Sequence, residues 1–276
     1  MTLATLAEVL TKANAGGYAV GGLVCLGWED MRAYVEAAEA EDLPVILQAG
    51  PSCRKHTPLP VLGAMMRHLG EQATVLVVVH LDHGYTAEEC EQAIAAGFTS
   101  VMFDGSRLSL SENIEKTAAI AEMARKAGVS CEGEIGFVGY SDGEASAGTD
   151  PDEAAKFAAE TGVDAMAISV GNVHLQENRE GGLDEDRIRA IEAVTDLPLV
   201  IHGGSGVPLD QRGRLARTSK IVKFNIGTEL RMVFGSALRD AIAKDPARFD
   251  RVQILSELEA PICEAAQQAL RSIAPN

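Results

Sequence analysis

The chain has 276 residues, a formal net charge of −16 at pH 7 and a pI near 4.8. This charge argues against nucleic acid or an anionic membrane as a partner, because their phosphates would be repelled. The length permits one large domain as readily as two smaller ones, and no Pro/Ser-rich linker divides it. We therefore expect a single domain over residues 1–276.

The cysteines indicate a reduced, cytoplasmic protein. There are five, widely scattered, and none forms a Cys-x-x-Cys pair typical of a thiolate metal site. The first segment, "MTLATLAEVLTKANAGG", contains charges and predicts a short amphipathic helix ending at Gly16 or Gly17, not a signal peptide. No segment is apolar and long enough to cross a membrane.

Short apolar runs alternate with Ala/Glu/Arg-rich amphipathic segments along nearly the whole chain. Eight strands are predicted, and they begin at Tyr18, Pro44, Thr74, Thr99, Val129, Asp164, Pro198 and Lys220. Helices fill the gaps, for example from Trp28, Ser111 and Asp150, and several begin on Ser or Asp and end on Gly, as helix caps require.

Eight strand–helix units in this length predict an α/β fold, the (β/α)8 TIM barrel. Strands rich in Val, Ile and Leu without strict alternation fit a parallel sheet that helices cover. The first helix precedes the barrel, and "ELEAPICEAAQQALRSI" remains as an extra carboxy-terminal helix. A doubly wound open sheet is the competing architecture.

Unusual polar residues follow the predicted strands, at the end where barrel enzymes carry out their chemistry. The third strand ends in "HLDHG", and later strands end in "MFDGS", "CEGEIG", "VGNVH", "IHGGSG" and "KFNIGTE". Four of the six histidines thus converge on one mouth with several carboxylates. Such convergence favours a metal or acid/base site over isolated structural histidines.

Three imidazoles with open coordination positions are typical of a catalytic zinc. His83, His174 and His202 follow three different strands, so we predict that they share one metal ion. Asp82 is too short and too near His83 to join it, and we predict that it transfers protons. Glu134 is either an alternate ligand or a hydrogen-bonding partner of the ligands.

Three further strand-end residues have supporting or rival roles. His80 lies closer to the strand body and is expected to support the site by hydrogen bonding, while Asp104 is expected to orient a ligand histidine. Lys223 keeps a Schiff-base mechanism open as a rival to metal chemistry. That mechanism would leave the three histidines unexplained.

Two glycine-rich turns, "HGGSG" and "NIGT", follow the last two strands. Barrels often bind phosphate at this position through backbone N–H groups and a helix amino terminus. Glycine permits close approach of the backbone, and Ser205 and Thr228 add hydroxyl groups. The paired turns predict a phosphate site, which neutral amides can form even in an acidic protein.

In this order and spacing, the quoted motifs resemble the zinc-dependent class II fructose-bisphosphate aldolases, including the tagatose-bisphosphate and other ketose-bisphosphate aldolases. The resemblance covers essentially the whole chain. It implies a lyase of carbohydrate metabolism, of the glycolytic type, that reversibly cleaves a ketose 1-phosphate or ketose 1,6-bisphosphate to glycerone phosphate and an aldehyde through a zinc-stabilised enediolate. It also implies one Zn²⁺ per chain, a monovalent cation (Na⁺ or K⁺) near the phosphate, and a homodimer or homotetramer.

The resemblance implies roles for individual residues. In the family, the counterpart of Asp82 exchanges a proton with the hydroxyl at the cleaved bond. The counterpart of Asn225 supports the enediolate, and that of Glu134 lies by the metal. The zinc is bound by the residues matching His83, His174 and His202, and the ketose 1-phosphate by those matching Gly203, Ser205, Gly227 and Thr228.

The sequence departs from the family pattern on the side of the aldehyde product. Val24 and Gly27 stand where the first strand usually has asparagines, and Leu175 replaces the glycine after the second zinc histidine. These changes leave two alternatives open. One is a barrel phosphosugar isomerase, and the other is a non-catalytic sugar-phosphate-binding or assembly subunit.

Two further functional residues of the family have no exact match in the sequence, and we name candidates for them from the nearest segments. The loop after the fifth strand is short, and Asp142 or Glu144 is the candidate for the family's loop acid. For the arginine that meets the far phosphate, the candidates are Arg248 and Arg251.

Overall fold

Eight parallel strands close into a barrel in the computed structural model, which describes residues 2–141, 143, 145–179 and 182–275. Each strand pairs with the next along the chain, and the last pairs with the first. The (β/α)8 prediction is therefore confirmed, and the open doubly wound sheet is wrong. The strands are β1 (Val20–Val24), β2 (Val45–Ala49), β3 (Val77–Gly84), β4 (Ser100–Phe103), β5 (Ser130–Ile135), β6 (Ala165–Ile168), β7 (Leu199–Ile201) and β8 (Ile221–Ile226).

Helices connect the strands and cover the outside of the barrel. Within the described residues, none of them is long and apolar enough to span a membrane. The carboxy-terminal helix begins at Arg251, earlier than predicted, and packs against the second and tenth helices. The helices are α1 (Leu6–Gly16), α2 (Trp28–Glu41), α3 (Pro51–His56), α4 (Leu59–Gln72), α5 (Ala87–Ala95), α6 (Leu110–Lys126), α7 (Pro151–Thr161), α8 (Glu185–Glu192), α9 (Leu209–Thr218), α10 (Thr228–Lys244) and α11 (Arg251–Ile273).

Caps explain where the predicted helices begin. The Ser109 hydroxyl accepts a hydrogen bond from the Glu112 backbone N–H, and the Glu112 carboxylate accepts one from the Ser109 N–H. This capping box starts α6 one residue before the predicted Ser111. Asp150 caps α7 in a similar way, through the N–H groups of its first turn.

Helix α1 closes the amino-terminal end of the barrel. The Thr5 hydroxyl caps it, and its apolar face packs on inward-facing strand residues. We call this cluster the base plug. It comprises Ala4, Leu6, Val9, Leu10, Ala13, Val20, Ile46, Val78, Ala165, Ala167, Val200 and Val222.

Strand alternation leads from the base plug to the opposite end of the interior. Side chains two residues apart on a strand share one face. On β3, Val78 lies in the base plug, His80 is fully buried above it, and Asp82 reaches the carboxyl end. The barrel interior is therefore apolar at its base and polar at its mouth.

Candidate active site

A cavity of about 610 Å³ opens at the carboxyl ends of the strands. We call it the mouth cavity. Of the ten residues predicted for the site, Glu134 and His202 lie buried in the barrel beside it. The other eight line it: Asp82, His83, His174, Gly203, Ser205, Asn225, Gly227 and Thr228.

His83 reaches the mouth because β3 is irregular at its end. In a regular strand, Asp82 and His83 would face opposite sides of the sheet. The pairing with β4 shifts in register between Leu81 and Gly84, and His83 adopts a φ of 51°. This bulge turns the imidazole back over the barrel, where its Nδ1 is hydrogen-bonded to Asp104 Oδ2 at 2.8 Å.

The rings of His83, His174 and His202 face one another. Their centroids are 4.6 to 5.8 Å apart, and one ring nitrogen from each lies within 4.8 Å of the others. His202 Nε2 donates to Glu132 Oε1 at 3.0 Å. This bond directs Nδ1 of the same ring away from Glu132 and fixes the orientation of the imidazole.

Two buried atoms at this cluster have no hydrogen-bond partner. His202 Nδ1 and Glu134 Oε2 are 3.3 Å apart but not aligned for a hydrogen bond. An unpaired imidazole nitrogen and an unpaired carboxylate oxygen are ligands that zinc accepts. The three-histidine group therefore fits a zinc ion. A second group with ligand spacing shares His83 and adds Asp104 and Glu134.

Burial and the neighbouring charged groups shift the pKa values of these side chains in different directions. Burial, aided by the neighbouring histidines, lowers the pKa of His174 to about 3. Burial also opposes protonation of His202, but Glu132 and Glu134 outweigh it and raise the pKa of that ring to about 10. For Asp82, the neighbouring histidines outweigh burial and lower the pKa, which keeps it a carboxylate.

Lys223 lies inside the barrel and does not line the mouth cavity. Its fully buried Nζ donates to Glu132 Oε2 at 2.6 Å and is 3.3 Å from His80 Nε2. His80 in turn is hydrogen-bonded to Ser100 Oγ at 2.8 Å. A Schiff base needs an amine that reaches the substrate, so the rival mechanism has no structural support.

Asp82 and Asn225 meet at the mouth. Asn225 Nδ2 donates to Asp82 Oδ1 at 3.3 Å, while Asn225 Oδ1 is buried without a partner. On its other side Asp82 approaches β2, because a Cβ added at Gly50 would lie 3.4 Å from Asp82 Oδ2. The carboxylate is thus held at one oxygen, next to the connection between β2 and α3.

The two glycine-rich turns are joined to each other. Ser205 Oγ accepts hydrogen bonds from the N–H groups of Gly227 at 3.2 Å and Glu229 at 3.3 Å. Gly203 has a φ of 67°, and a Cβ there would lie 2.2 Å from the Val173 carbonyl oxygen, so glycine is required. The turns form one surface at the amino terminus of α10, where an anion is favoured.

Sequence comparison assigns the chain to one family. The sequence model for class II fructose-bisphosphate aldolase matches residues 4–275. The chain belongs to the class II fructose-bisphosphate aldolase family. It is therefore a carbon–carbon lyase, as the sequence motifs predicted.

Relatives of this class II aldolase have different names. A fructose-bisphosphate aldolase of Geobacillus stearothermophilus is 37% identical over 266 residues, which are 92% of this chain and 91% of that protein. A 6-phospho-5-dehydro-2-deoxy-D-gluconate aldolase of Shouchella clausii is 36% identical over 265 residues, 93% and 89% of the two chains. Among solved structures, the YdjI aldolase of Escherichia coli K12 has a TM-score of 0.86 and 27% identity, over 99% of this chain and 98% of that one.

Two arginines of this aldolase support the site but were missed in the sequence. Arg54 donates to the carbonyl oxygens of Ala49, Asp82 and His83 at 2.8, 2.6 and 3.0 Å, which holds the irregular end of β3. Nothing in the sequence distinguishes Arg54 from a surface arginine of a short helix, because its partners come from other strands.

The second is Arg212, which is fully buried. Its Nη1 donates to Glu229 Oε1 at 2.8 Å and to the Gly204 carbonyl oxygen at 3.2 Å, and its Nε donates to Ser272 Oγ at 3.1 Å. Arg212 thereby ties the first glycine-rich turn to α10 and α11. Glu229 also pairs with Arg179.

The structure places only some of the residues that depart from the aldolase pattern at the mouth cavity. Leu175 keeps the left-handed conformation that favours glycine, with a φ of 57°. Arg248 pairs with Glu257, and Arg251 lines a separate cavity, so neither lines the mouth cavity. The candidate loop acids lie outside the described residues: Asp142 and Glu144.

Proposed function

We propose that this aldolase reversibly cleaves a ketose 1-phosphate or ketose 1,6-bisphosphate to glycerone phosphate and an aldehyde. Fructose and tagatose 1,6-bisphosphate are the first substrates to test, and a modified sugar phosphate is the next. One observation carries the proposal: a group of three facing histidines and a buried carboxylate lies at the same cavity as two joined glycine-rich turns. Relatives of nearly equal identity are named for different substrates, so their names do not select the aldehyde.

We assign His83, His174 and His202 as the ligands of one Zn²⁺ per chain. When bound, zinc supplies a Lewis acid that stabilises negative charge on the carbonyl oxygen of the substrate. Asp104 fixes the His83 ring and Glu132 fixes the His202 ring, so these imidazoles are oriented before a ligand arrives. Glu134 Oε2 lies 3.8 Å from His83 Nδ1 and stands beside the ligands.

Asp82 acts as the proton-transfer group. In cleavage it removes the proton from the hydroxyl at the bond that breaks, and in condensation it returns that proton. Asn225 holds Asp82 Oδ1, which leaves Oδ2 available to the substrate hydroxyl. The Asn225 amide also lines the cavity and supports the oxygen on which charge develops.

The ketose 1-phosphate binds at the joined turns, to Gly203, Ser205, Gly227 and Thr228. Backbone N–H groups and the amino terminus of α10 provide the attraction without formal charge. A monovalent cation, Na⁺ or K⁺, accompanies the phosphate in this proposal.

A retro-aldol assay tests the proposal directly. Purified protein is incubated with a series of ketose phosphates, and release of glycerone phosphate is followed with and without a chelator. We expect release that the chelator abolishes, one zinc bound per chain, and loss of both zinc and activity in His202→Ala. Activity that survives chelation and His202→Ala would disprove the zinc mechanism. Interconversion without triose release would indicate an isomerase, and zinc or sugar-phosphate binding without turnover a non-catalytic subunit.

We also propose a cytoplasmic homodimer or homotetramer in which residues 1–276 form one aldolase domain. All five cysteines are free, as expected in a reducing compartment. Light scattering on the purified protein would measure the number of chains in the assembly directly.

A further inference from the structure

Gln48 is a buried polar side chain to which the proposed reaction gives no role. It lies in β2, two residues after Ile46 of the base plug. Two residues further on is Gly50, whose Cβ position approaches Asp82 Oδ2. The Gln48 side chain has no exposed surface, and among the described side chains it alone has two buried atoms without a hydrogen-bond partner, Oε1 and Nε2. An unpaired buried amide costs free energy, so we looked for the group that it serves.

Gly22 leaves the space that the Gln48 amide occupies. A Cβ on Gly22 would overlap Gln48 Oε1 and would lie 2.8 Å from Gln48 Cδ. Gly22 is not one of the described glycines with a positive φ, so its backbone conformation does not require glycine. The close approach of the amide requires it instead. One methyl group added at Gly22 would therefore displace the Gln48 amide without changing its chemistry.

The same space adjoins Asn225. The Cβ position of Gly22 is 3.0 Å from Asn225 Oδ1, and the two residues are partners in the pairing of β1 with β8. Asn225 Nδ2 donates to Asp82 Oδ1 at 3.3 Å, whereas Asn225 Oδ1 has no partner. The Asn225 amide is thus held at one atom, and a half-turn about its terminal bond would point Nδ2 away from Asp82. A donor to Oδ1 would prevent that half-turn.

We propose that Gln48 is a positioning residue that fixes the amide of Asn225. Its Nε2 donates to Asn225 Oδ1, either directly, after a half-turn of the Gln48 amide exchanges Nε2 with Oε1, or through one buried water. Asn225 then keeps both N–H bonds of Nδ2 for the reaction. One donates to Asp82, and the other donates to the substrate oxygen on which charge develops. This inference rests on the proposed aldol reaction and adds a residue to it.

The test measures enediolate formation, as the exchange of the hydroxymethyl protons of glycerone phosphate with deuterium oxide. Glycerone phosphate is common to every cleavage in the proposed function, so this readout does not depend on the aldehyde. NMR follows the exchange, and only the part that a chelator removes is counted, which excludes contaminating isomerases that use no metal.

Gln48→Met keeps the length of the side chain and removes its amide. We expect it to lower kcat for exchange by about 3–10-fold, the effect of one hydrogen bond between neutral groups. KM for glycerone phosphate should stay within about twofold, because Gln48 does not line the mouth cavity and an interaction made only in the transition state lowers kcat alone. Metal analysis should find the same zinc content as in the unmodified enzyme, and thermal melts confirm that the variant is folded.

A double variant separates positioning from a general structural effect. Asn225→Ala removes the group on which Gln48 acts, so in that background Gln48→Met should change kcat by less than about twofold. Independent effects would multiply instead.

Gly22→Ala and Gly21→Ala form a matched pair of variants. Gly22→Ala displaces the Gln48 amide and should lower kcat by about the same factor as Gln48→Met. Gly21 is the preceding residue of β1, and a Cβ there would lie 2.7 Å from Leu270 Cδ2 in α11, outside the barrel. Gly21→Ala adds the same methyl group and should leave kcat within about twofold.

Three results would contradict the positioning role of Gln48. An unchanged kcat in Gln48→Met, or effects that multiply in the double variant, would overturn it and leave the proposed aldol reaction intact. A fall in Gly21→Ala as large as that in Gly22→Ala would also overturn it, because it would show that β1 tolerates no added methyl group. If the unmodified enzyme shows no chelator-sensitive exchange and cleaves no ketose phosphate, the proposed function itself has failed, and the role of Gln48 fails with it.

Discussion

The two ends of the barrel interior are built on opposite principles. At the amino-terminal end, the base plug packs apolar side chains from α1 and the strands, and it leaves no polar side-chain atom unpaired among the described residues. At the mouth, His202 Nδ1, Glu134 Oε2 and Asn225 Oδ1 are buried without partners. Unpaired buried polar atoms cost free energy. The base therefore contributes stability by burying apolar surface, while the mouth keeps polar atoms available for a ligand.

The sharpest test at the mouth is Asp82→Asn. We expect kcat to fall by about 10²–10⁴-fold, because the proton-transfer group is lost, while one zinc per chain is retained. Steady-state kinetics and metal analysis of the same sample measure the two effects. Loss of zinc in this variant would show that Asp82 belongs to the metal site.

The matching test at the base is Leu10→Ala. Leu10 has no exposed surface, so the substitution should lower the free energy of unfolding by about 2–5 kcal/mol through lost burial and a cavity. Turnover at 25 °C should be unchanged, because α1 is at the far end of the barrel. Leu209→Ala is the control: Leu209 is 43% exposed, and its truncation should cost about 0.5 kcal/mol or less. A large loss of turnover in Leu10→Ala would show that the two ends are coupled.

Arg212→Met lies between these extremes, since Arg212 is buried but holds the first glycine-rich turn. We expect a loss of about 2 kcal/mol in stability, less than for a fully buried pair, because Glu229 is partly exposed and keeps Arg179. KM for the ketose phosphate should rise more than kcat falls, since the turn bound at Gly204 loosens. Chemical denaturation and kinetics report both. If kcat and KM instead change by the same factor, and both recover when the assay is run at a lower temperature, the role of Arg212 is purely structural.

The smallest expected effect is at the start of the base helix. Thr5→Ala removes the hydroxyl that accepts from the Glu8 N–H, and about 1 kcal/mol of stability should be lost. Thr5→Ser keeps the cap and should recover most of that loss. Thermal unfolding of the pair measures the difference, and equal melting temperatures would mean that the cap contributes nothing.

Much of the fold was readable from sequence because its signals are local. All eight predicted strands are present within a few residues of their predicted bounds, and capping residues mark α6 and α7. The clustering of polar residues at the mouth of the barrel could also be predicted, because the carboxyl ends of parallel strands lie at the same edge of the sheet. The structure shows where the site residues lie, and the chemical role assigned to each of them is a prediction.

What sequence could not supply depends on contacts between distant segments. Arg54 and Arg212 act on carbonyl oxygens that only the closed barrel brings near them. The left-handed conformation of His83 has no local signal either, because histidine rarely adopts it without support from its surroundings.

The shift in register at the end of β3 also limits how this site can be transplanted. An idealised barrel with uninterrupted strands would turn one of the two neighbours, Asp82 or His83, into the helical layer. A designer who copies the residues but straightens the strand would therefore lose either the base or a ligand. The extra residue must be copied together with the guanidinium of Arg54 that holds its carbonyl oxygens.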